Sequence, residues 1–287
     1  MYNINILNNK SNTLLINYNN KGLLLDTGYD KEDTNKIIHY LKNNNIILES
    51  VIVSHYHKDH IQGVKRIKEA FPNVKFFSSE ITKFIYENNW FENTLYSGLV
   101  DTSHNVDIEF LILENSFKFY EVNIDILKSN GHCYGNLLFK IDDYLFCPDI
   151  IVSNNGFLPF ISDVSAYFDE IDFLKNIQDI NTVISSHCPF NMSLETFNEA
   201  LDNTKKIINK YLKNIETLIG SGCKWNELII NSIKSNNRTR CFEHYMTQEQ
   251  YGYTTYVIKN ILKYLENIGI IKILYDNEKI NIEKVNL

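Results

Sequence analysis

The opening of the chain is patterned as short apolar runs set between polar turns. Asn3 to Leu7, Thr13 to Tyr18 and Gly22 to Asp26 read as strands, separated by turns rich in Asn, Lys and Gly. The period then lengthens. Ile37, Ile38 and Leu41 lie at helical spacing and predict a helix over Lys31 to Asn43. An apolar run from Ile46 to Val53 leads straight into a cluster of histidines. Ile61, Val64, Ile67, Ala70 and Phe71 then predict an amphipathic helix, closed by Pro72. The stretch from Glu80 to Asn105 is aromatic (Phe84, Tyr86, Trp90, Phe91, Tyr96) and takes no clear period. Strands resume at Phe110 to Leu113, Lys118 to Tyr120, Ile124 to Lys128, Asn136 to Ile141 and Tyr144 to Cys147. A helix over Val164 to Ile177 precedes a last strand, Thr182 to Ser185, which ends near His187.

Strands that alternate with helices in this way predict an α/β fold with layered sheets. GLLLDTG and YLFCPD are both apolar strands that end in an aspartate. Two αβ halves packed sheet to sheet would produce that echo. From Ser193 the pattern turns helical, with Ile207, Ile208, Tyr211, Leu212, Ile215, Leu218 and Ile219 as one stripe stopped by Gly220-Ser221-Gly222. Further helices are expected over Asn226 to Ile233 and Thr254 to Asn267, then a hairpin over Ile270 to Ile282 turning at Asp276-Asn277. Helices followed by a hairpin resemble a winged-helix module. The expected organisation is therefore residues 1–192 and a C-terminal helical, winged-helix-like region, 193–287, docked on them because nothing between reads as a linker.

Composition narrows the partners. With 44% hydrophobic and 22% charged residues the chain is an ordinary globular protein, and its net charge of −7 disfavours a large nucleic-acid footprint. The N-terminus lacks a basic segment followed by an apolar one, so no signal peptide is expected. No apolar run approaches the roughly 18–20 residues of a membrane span. Five cysteines without paired spacing (Cys133, Cys147, Cys188, Cys223, Cys241) favour a reduced, cytoplasmic protein.

The strongest chemical signal is VIVSHYHKDHIQG, which carries His55, His57, Asp59 and His60. Imidazoles two residues apart in an extended segment point the same way, so His55 and His57 can grip one ion. Asp59 and His60 follow at once and can turn toward a second ion. Imidazole and carboxylate suit zinc, iron or manganese.

HYHKDH resembles the HxHxDH signature of the metallo-β-lactamase superfamily, and the other motifs of that family appear in order. Its early aspartate matches Asp26 in LLLDTG, its third metal-binding histidine His132 in SNGHCYGN, its bridging aspartate Asp149 in YLFCPD, and its last histidine His187 in VISSHCP. The resemblance covers roughly residues 1–190 and implies a four-layer αββα sandwich, making residues 1–192 the catalytic domain. It implies that His55, His57 and His132 hold one ion, that Asp59, His60 and His187 hold another, and that Asp149 bridges them. Two divalent ions per chain are implied, zinc foremost, with iron or manganese as alternatives. Two departures stand out: Cys133-Tyr134-Gly135 replaces the Pro-Gly that often follows the third histidine, and Pro148 replaces the glycine that often precedes the bridging aspartate.

Two ions about 3.5–4 Å apart lower the pKa of a shared water and polarise a carbonyl or phosphoryl oxygen. Asp59 is a candidate catalytic residue that orients the hydroxide. Asp26 is a candidate for fixing a histidine ligand. His244, in RCFEHYMT, is a candidate substrate contact or proton donor, whereas His39 and His104 read as incidental. Cys133 and Cys188 each follow a metal histidine and read as small buried apolar residues. The Phe157 to Ile161 loop, part of Phe84 to Tyr96 and Cys241 to Met246 are expected to wall an apolar pocket.

The expected function is hydrolysis of an ester, thioester or lactone in a small molecule with an apolar or acyl portion. The partners exclude a membrane, disfavour nucleic acid and leave room for a homodimer. Hydrolysis of RNA or another phosphodiester is the alternative, but Asp149 and His187 lie only 38 positions apart, too close for the domain that family nucleases of the β-CASP type insert there. An iron-dependent oxidoreductase resembling the persulfide dioxygenases shares much of the motif set and stays open.

Overall fold

The computed structural model describes residues 2–7, 10–88, 108–151, 159–187, 191–221, 228, 248–276 and 279–285. Two six-stranded sheets form its centre. The first runs β1 (Tyr2–Leu7), β2 (Thr13–Tyr18), β3 (Lys21–Leu25), β4 (Ile47–Ile52), β5 (Lys75–Ser78) and β6 (Phe110–Ile112), in that spatial order. Its first three strands are antiparallel and the rest parallel. Tyr18 pairs with Lys21 across Asn19-Asn20, whose φ values of 48° and 63° make the left-handed pair that a tight hairpin turn needs.

The second sheet holds β7 (Ser116–Phe119), β8 (Val122–Ser129), β9 (Asn136–Ile141), β10 (Tyr144–Phe146), β11 (Thr182–Ile184) and β12 (Asn191–Ser193), ordered in space from β12 to β7. Here only β10 and β11 run parallel. Helix α1 (Lys31–Asn43), the short α2 (Lys58–Ile61), α3 (Val64–Ala70) and α4 (Glu80–Glu87) belong to the first half. Helices α5 (Val164–Lys175), α6 (Leu194–Gly220) and α7 (Gln248–Asn267) belong to the second, and the hairpin β13 (Ile271–Asp276) and β14 (Lys279–Lys284) follows.

The central strands β2, β3 and β9 are apolar on both faces because both faces are covered, whereas β8 alternates buried and exposed positions. Successive side chains alternate across a strand. Leu14, Ile16, Leu23, Leu25 and Ile52 therefore join Ile124, Ile126, Phe139, Phe146 and Ile184 in the core between the sheets. Leu15, Leu24, Val51 and Val53 face outward and pack with Ile37, Leu41, Val64 and Ile67 of the covering helices. The outer face of the second sheet does the same: Leu138, Leu145 and Val183 share one cluster with Tyr167 and Ile171 of α5, Phe197 and Ile208 of α6, and Val257 and Ile261 of α7. Each such side chain contributes about 1.5–3 kcal/mol on burial. The layers are thus helix, sheet, sheet, helix, the αββα order, and the helices beyond residue 193 pack into that same outer core.

The expected helix from Ile61 to Phe71 is α3 (Val64–Ala70), preceded across Gln62-Gly63 by the unexpected short helix α2 (Lys58–Ile61). A Cβ at Gly63 would stand 2.5 Å from the Thr27 carbonyl oxygen, so the bend lets the backbone close on the turn after β3. Strands β5 (KFFS) and β12 (NMS) were not expected; they offer only Phe76-Phe77 and Met192 as apolar positions. Helix α7 begins at Gln248 rather than Thr254. The expected helix over Asn226 to Ile233 lies outside the described residues except at Leu228, which is buried. No helix among the described residues is long and apolar enough to cross a membrane.

Candidate metal centre

The chemistry-bearing side chains gather where strands of both sheets end. Asp26 follows β3 and His55 follows β4; His57 caps α2, which carries Asp59 and His60. His132 lies between β8 and β9, Asp149 follows β10, and His187 follows β11. A crevice outside the carboxyl ends of parallel strands is where open α/β sheets place their ligands. The two strand-ending aspartates share a further property: Asp26 and Asp149 both adopt left-handed backbone, with φ of 66° and 58°. Aspartate tolerates that region better than most residues, and it turns the chain sharply out of each sheet. The echo between GLLLDTG and YLFCPD is therefore a matching turn in each sheet.

In one half of the centre, Nδ1 of His57 lies 3.1 Å from Nε2 of His55 and 2.9 Å from Nε2 of His132. In the other, Nε2 of His60 is 3.4 Å from Oδ2 of Asp59, which is 2.7 Å from Nε2 of His187. Asp149 joins them. Its Oδ2 is 3.6 Å from His55 Nε2 and 3.4 Å from His132 Nε2, and also 3.3 Å from His60 Nε2, while its Oδ1 is 3.2 Å from His187 Nε2.

These spacings fit metal ions. Donors about 2.0–2.1 Å from a tetrahedral ion stand roughly 3.3 Å from one another. The distances in both halves scatter about that value. The donor set is imidazole and carboxylate, which borderline divalent ions prefer. Three buried atoms of these residues, Nε2 of His57, Nε2 of His60 and Oδ1 of Asp149, have no hydrogen-bond partner, an expensive arrangement unless something else satisfies them. The residues present fit divalent metal.

The electrostatics of the halves differ. Burial, reinforced by neighbouring imidazoles, lowers His55, His57 and His132 each to about 3, so all three are neutral and have lone pairs free to donate. Burial opposes charge on His187 as well, yet Asp149 and Asp59 raise it to about 10. His60 is likewise raised, against its burial, by Asp59, Asp149 and Asp26. Asp59 and Asp149 are held well below the usual carboxylate range by His60 and His187 despite burial.

The surrounding hydrogen bonds fix which ring nitrogen faces the cluster. Asp26 Oδ2 accepts from Nδ1 of His60 at 2.8 Å, which leaves Nε2 for an ion. Asp26 is itself held by the Ser54 backbone N–H at 2.7 Å and the Ser54 hydroxyl at 2.9 Å. The Ser54 hydroxyl oxygen also lies 3.0 Å from Nδ1 of His55. Nδ1 of His132 donates to the Phe160 carbonyl at 3.2 Å. Sequence reasoning found Asp26 and missed Ser54, although a hydroxyl residue between an apolar strand and the first ligand was a usable signal. It also missed the Phe160 carbonyl, which no side-chain pattern announces.

Other expected participants fall out differently. Cys133 lies near His55, His57 and His132, but burial and the nearby Asp149 push its thiol well above its ordinary value, and a protonated thiol is a poor ligand. Phe160 and Ile161 are buried rather than lining an open pocket; the Phe160 ring packs edge-on against His57 (4.8 Å) and His132 (5.7 Å). His39 donates to the Asn35 carbonyl of its own helix, away from the centre. His244, with the rest of Cys241 to Met246, lies outside the described residues, as do His104, Cys188, Phe157 and Leu158.

A family model described as the metallo-beta-lactamase superfamily matches residues 8–201. The hydroxyacylglutathione hydrolase 2 of Vibrio vulnificus is 22% identical over 196 residues, spanning 66% of this chain and 70% of the relative. The hydroxyacylglutathione hydrolase of Haemophilus ducreyi is 23% identical over 160 residues, 55% of this chain and 59% of the relative. Among solved structures, a metallo-beta-lactamase family protein from Thermus thermophilus superposes with a TM-score of 0.73 at 13% identity, covering 98% of each chain. A beta-lactamase domain protein from Burkholderia ambifaria gives 0.73 at 12% identity, covering 96% of this chain and 87% of the other. At such identities the structural likeness concerns the fold.

Proposed function

This chain belongs to the metallo-beta-lactamase superfamily, and from that membership we propose that it is a binuclear hydrolase of small-molecule thioesters, with esters and lactones as related substrates. The observation that carries the binuclear reading is the position of Asp149, whose carboxylate lies between the imidazoles of both halves. His55, His57 and His132 would hold one divalent ion, and Asp59, His60 and His187 the other, with Asp149 available to both. Zinc is the first choice and iron or manganese the alternatives. Bound there, the ions supply a water acidic enough to be hydroxide near neutral pH and a Lewis acid for the substrate carbonyl.

The chain's own residues do the rest. The neutral histidines of one half need lose no proton to bind. Asp59 stays a carboxylate because His60 and His187 outweigh its burial, so it can accept a hydrogen bond from the attacking water and aim it. Asp26 keeps the His60 ring in one orientation. We assign His244 the role of proton donor or substrate contact. The thioester preference draws on the names of the relatives, hydroxyacylglutathione hydrolases. The same reading takes residues 1–192 as the catalytic domain, 193–287 as a winged-helix-like region, and the protein as cytoplasmic, with room for a homodimer.

The test is elemental analysis of the purified protein beside a panel of acyl thioesters, lactones and bis-p-nitrophenyl phosphate. Two ions per chain are expected. So is a kcat/KM that rises with acyl length, each methylene fully buried contributing about 0.8 kcal/mol. One ion per chain, or a strong preference for the phosphodiester, overturns the reading.

A further inference from the structure

The C-terminal helix α7 lies far from the ligands in sequence, yet two of its side chains close on the segment that supports them. The Tyr256 ring stacks on Phe160 with centroids 4.8 Å apart and an interplanar angle of 12°. Its hydroxyl lies 3.0 Å from the Ser162 hydroxyl. One turn along, Nδ2 of Asn260 donates to the Ile161 carbonyl at 2.9 Å. Three consecutive residues, 160 to 162, are therefore each held by α7, through a ring, a carbonyl and a hydroxyl.

Two of these residues, Phe160 and Ser162, also reach the segment that carries the ligands. The Phe160 carbonyl accepts from Nδ1 of His132, and its ring packs on both His57 and His132. The Ser162 N–H donates to the carbonyls of Gly131 (2.9 Å) and His132 (3.1 Å). Gly131 leaves no slack there, since a Cβ on it would stand 2.4 Å from the Tyr167 Cα of α5.

We propose that Tyr256 and Asn260 are positioning residues for the His55, His57, His132 half of the centre, so that α7 sets the ring orientation of His132. The inference rests on the binuclear reading for its metal consequence, but not for its structural one. The contacts of this segment with the candidate ligands run to His132 and, through the Phe160 ring, to His57. A brace of this kind acts on one half selectively, and partners that orient a histidine ligand typically change metal affinity by about 10–100-fold when removed.

The experiment has two readouts, on the wild-type chain and on Tyr256→Ala, Asn260→Ala and Tyr256→Phe. Nitrogen NMR of the metal-free imidazoles reads the His132 tautomer, expected to be fixed with the proton on Nδ1 in the wild type and mixed in both alanine variants. Stepwise chelator competition with zinc reads the two affinities. The ion held by His55, His57 and His132 should weaken about 10–100-fold in the alanine variants, and the other by less than threefold. Tyr256→Phe keeps the stack and should stay within threefold of wild type at both. A fixed tautomer with unchanged affinities in Asn260→Ala, the milder alanine change, overturns the proposal. So does an equal loss at both halves tracking a fall in melting temperature, which marks α7 as merely structural. A wild type that takes one ion refutes the binuclear reading, while the tautomer comparison still decides the brace.

Discussion

The two halves of the centre are built from the same kinds of residue and differ in how they hold charge. One half gathers His55, His57 and His132, all buried and all lowered to about 3, with neutral partners behind them: the Ser54 hydroxyl and the Phe160 carbonyl. The other gathers His60 and His187 among Asp59, Asp149 and Asp26, and its histidines are raised instead. Burial opposes charge in both. What separates them is the carboxylates, which favour the charged imidazole more than desolvation opposes it. The first half is a preformed nest of lone pairs; the second holds protons where an ion would sit.

The largest effect should come from the atom pair the halves share. Asp149→Ala removes the carboxylate common to both, so both ions should be lost and activity should fall by more than the roughly 100-fold that loss of a mere orienting partner produces. Asp59→Ala should remove activity while sparing the ion held by His55, His57 and His132. Elemental analysis and single-turnover rates check this, with circular dichroism confirming that the apolar sheets remain folded. If Asp149→Ala kept one ion at wild-type affinity, the halves would be independent sites and the comparison would be void.

A smaller and more selective effect is expected from Asp26→Ala. His60 loses the acceptor that fixes its ring, so the ion of the second half should weaken by about 10–100-fold and the first should hardly change. Chelator competition measures both steps. Together with the α7 variants this gives opposite selectivities, and a variant of either kind that weakens both halves alike argues against separate support.

Finest of all is the proton count. In the metal-free chain at pH 7, His187, raised to about 10, is charged, and His60 is raised with it. Binding in that half must displace those protons, so about two should be released, whereas the half lowered to about 3 should release none. Calorimetry in buffers of different ionisation enthalpy reads the number at each step. The same shifts set the stability of the metal-free chain. His187 contributes stability that is full below about 6.5 and is lost as pH rises toward 10. The three lowered histidines bind protons only on unfolding, so stability falls as pH drops from about 6.5 toward 3. Thermal melts in chelator should therefore peak between these windows, and a melting temperature that is flat from pH 5 to 9 contradicts both assignments.

The local parts of this protein were legible in the chain alone. Apolar runs marked most strands and helical stripes marked α1, α5 and α6, because side-chain period follows directly from backbone geometry. HYHKDH placed four donors within six positions, and the two strand-ending aspartates stood out because the apolar runs stop on them. Strands β5 and β12 went unseen, since they offer only Phe76-Phe77 and Met192 as apolar positions. Helix α2 went unseen ahead of α3, because the break between them at Gly63 depends on a contact with Thr27 across 36 positions. Packing in three dimensions chose which ring nitrogen each histidine presents, joined Ser54 to Asp26, and set Phe160 to support ligands instead of lining a pocket. It also brought Tyr256 to Phe160 from 96 positions away. Those outcomes rest on carbonyls, hydroxyls and ring faces whose partners are selected by the folded surroundings, and no period or motif in a linear chain records them.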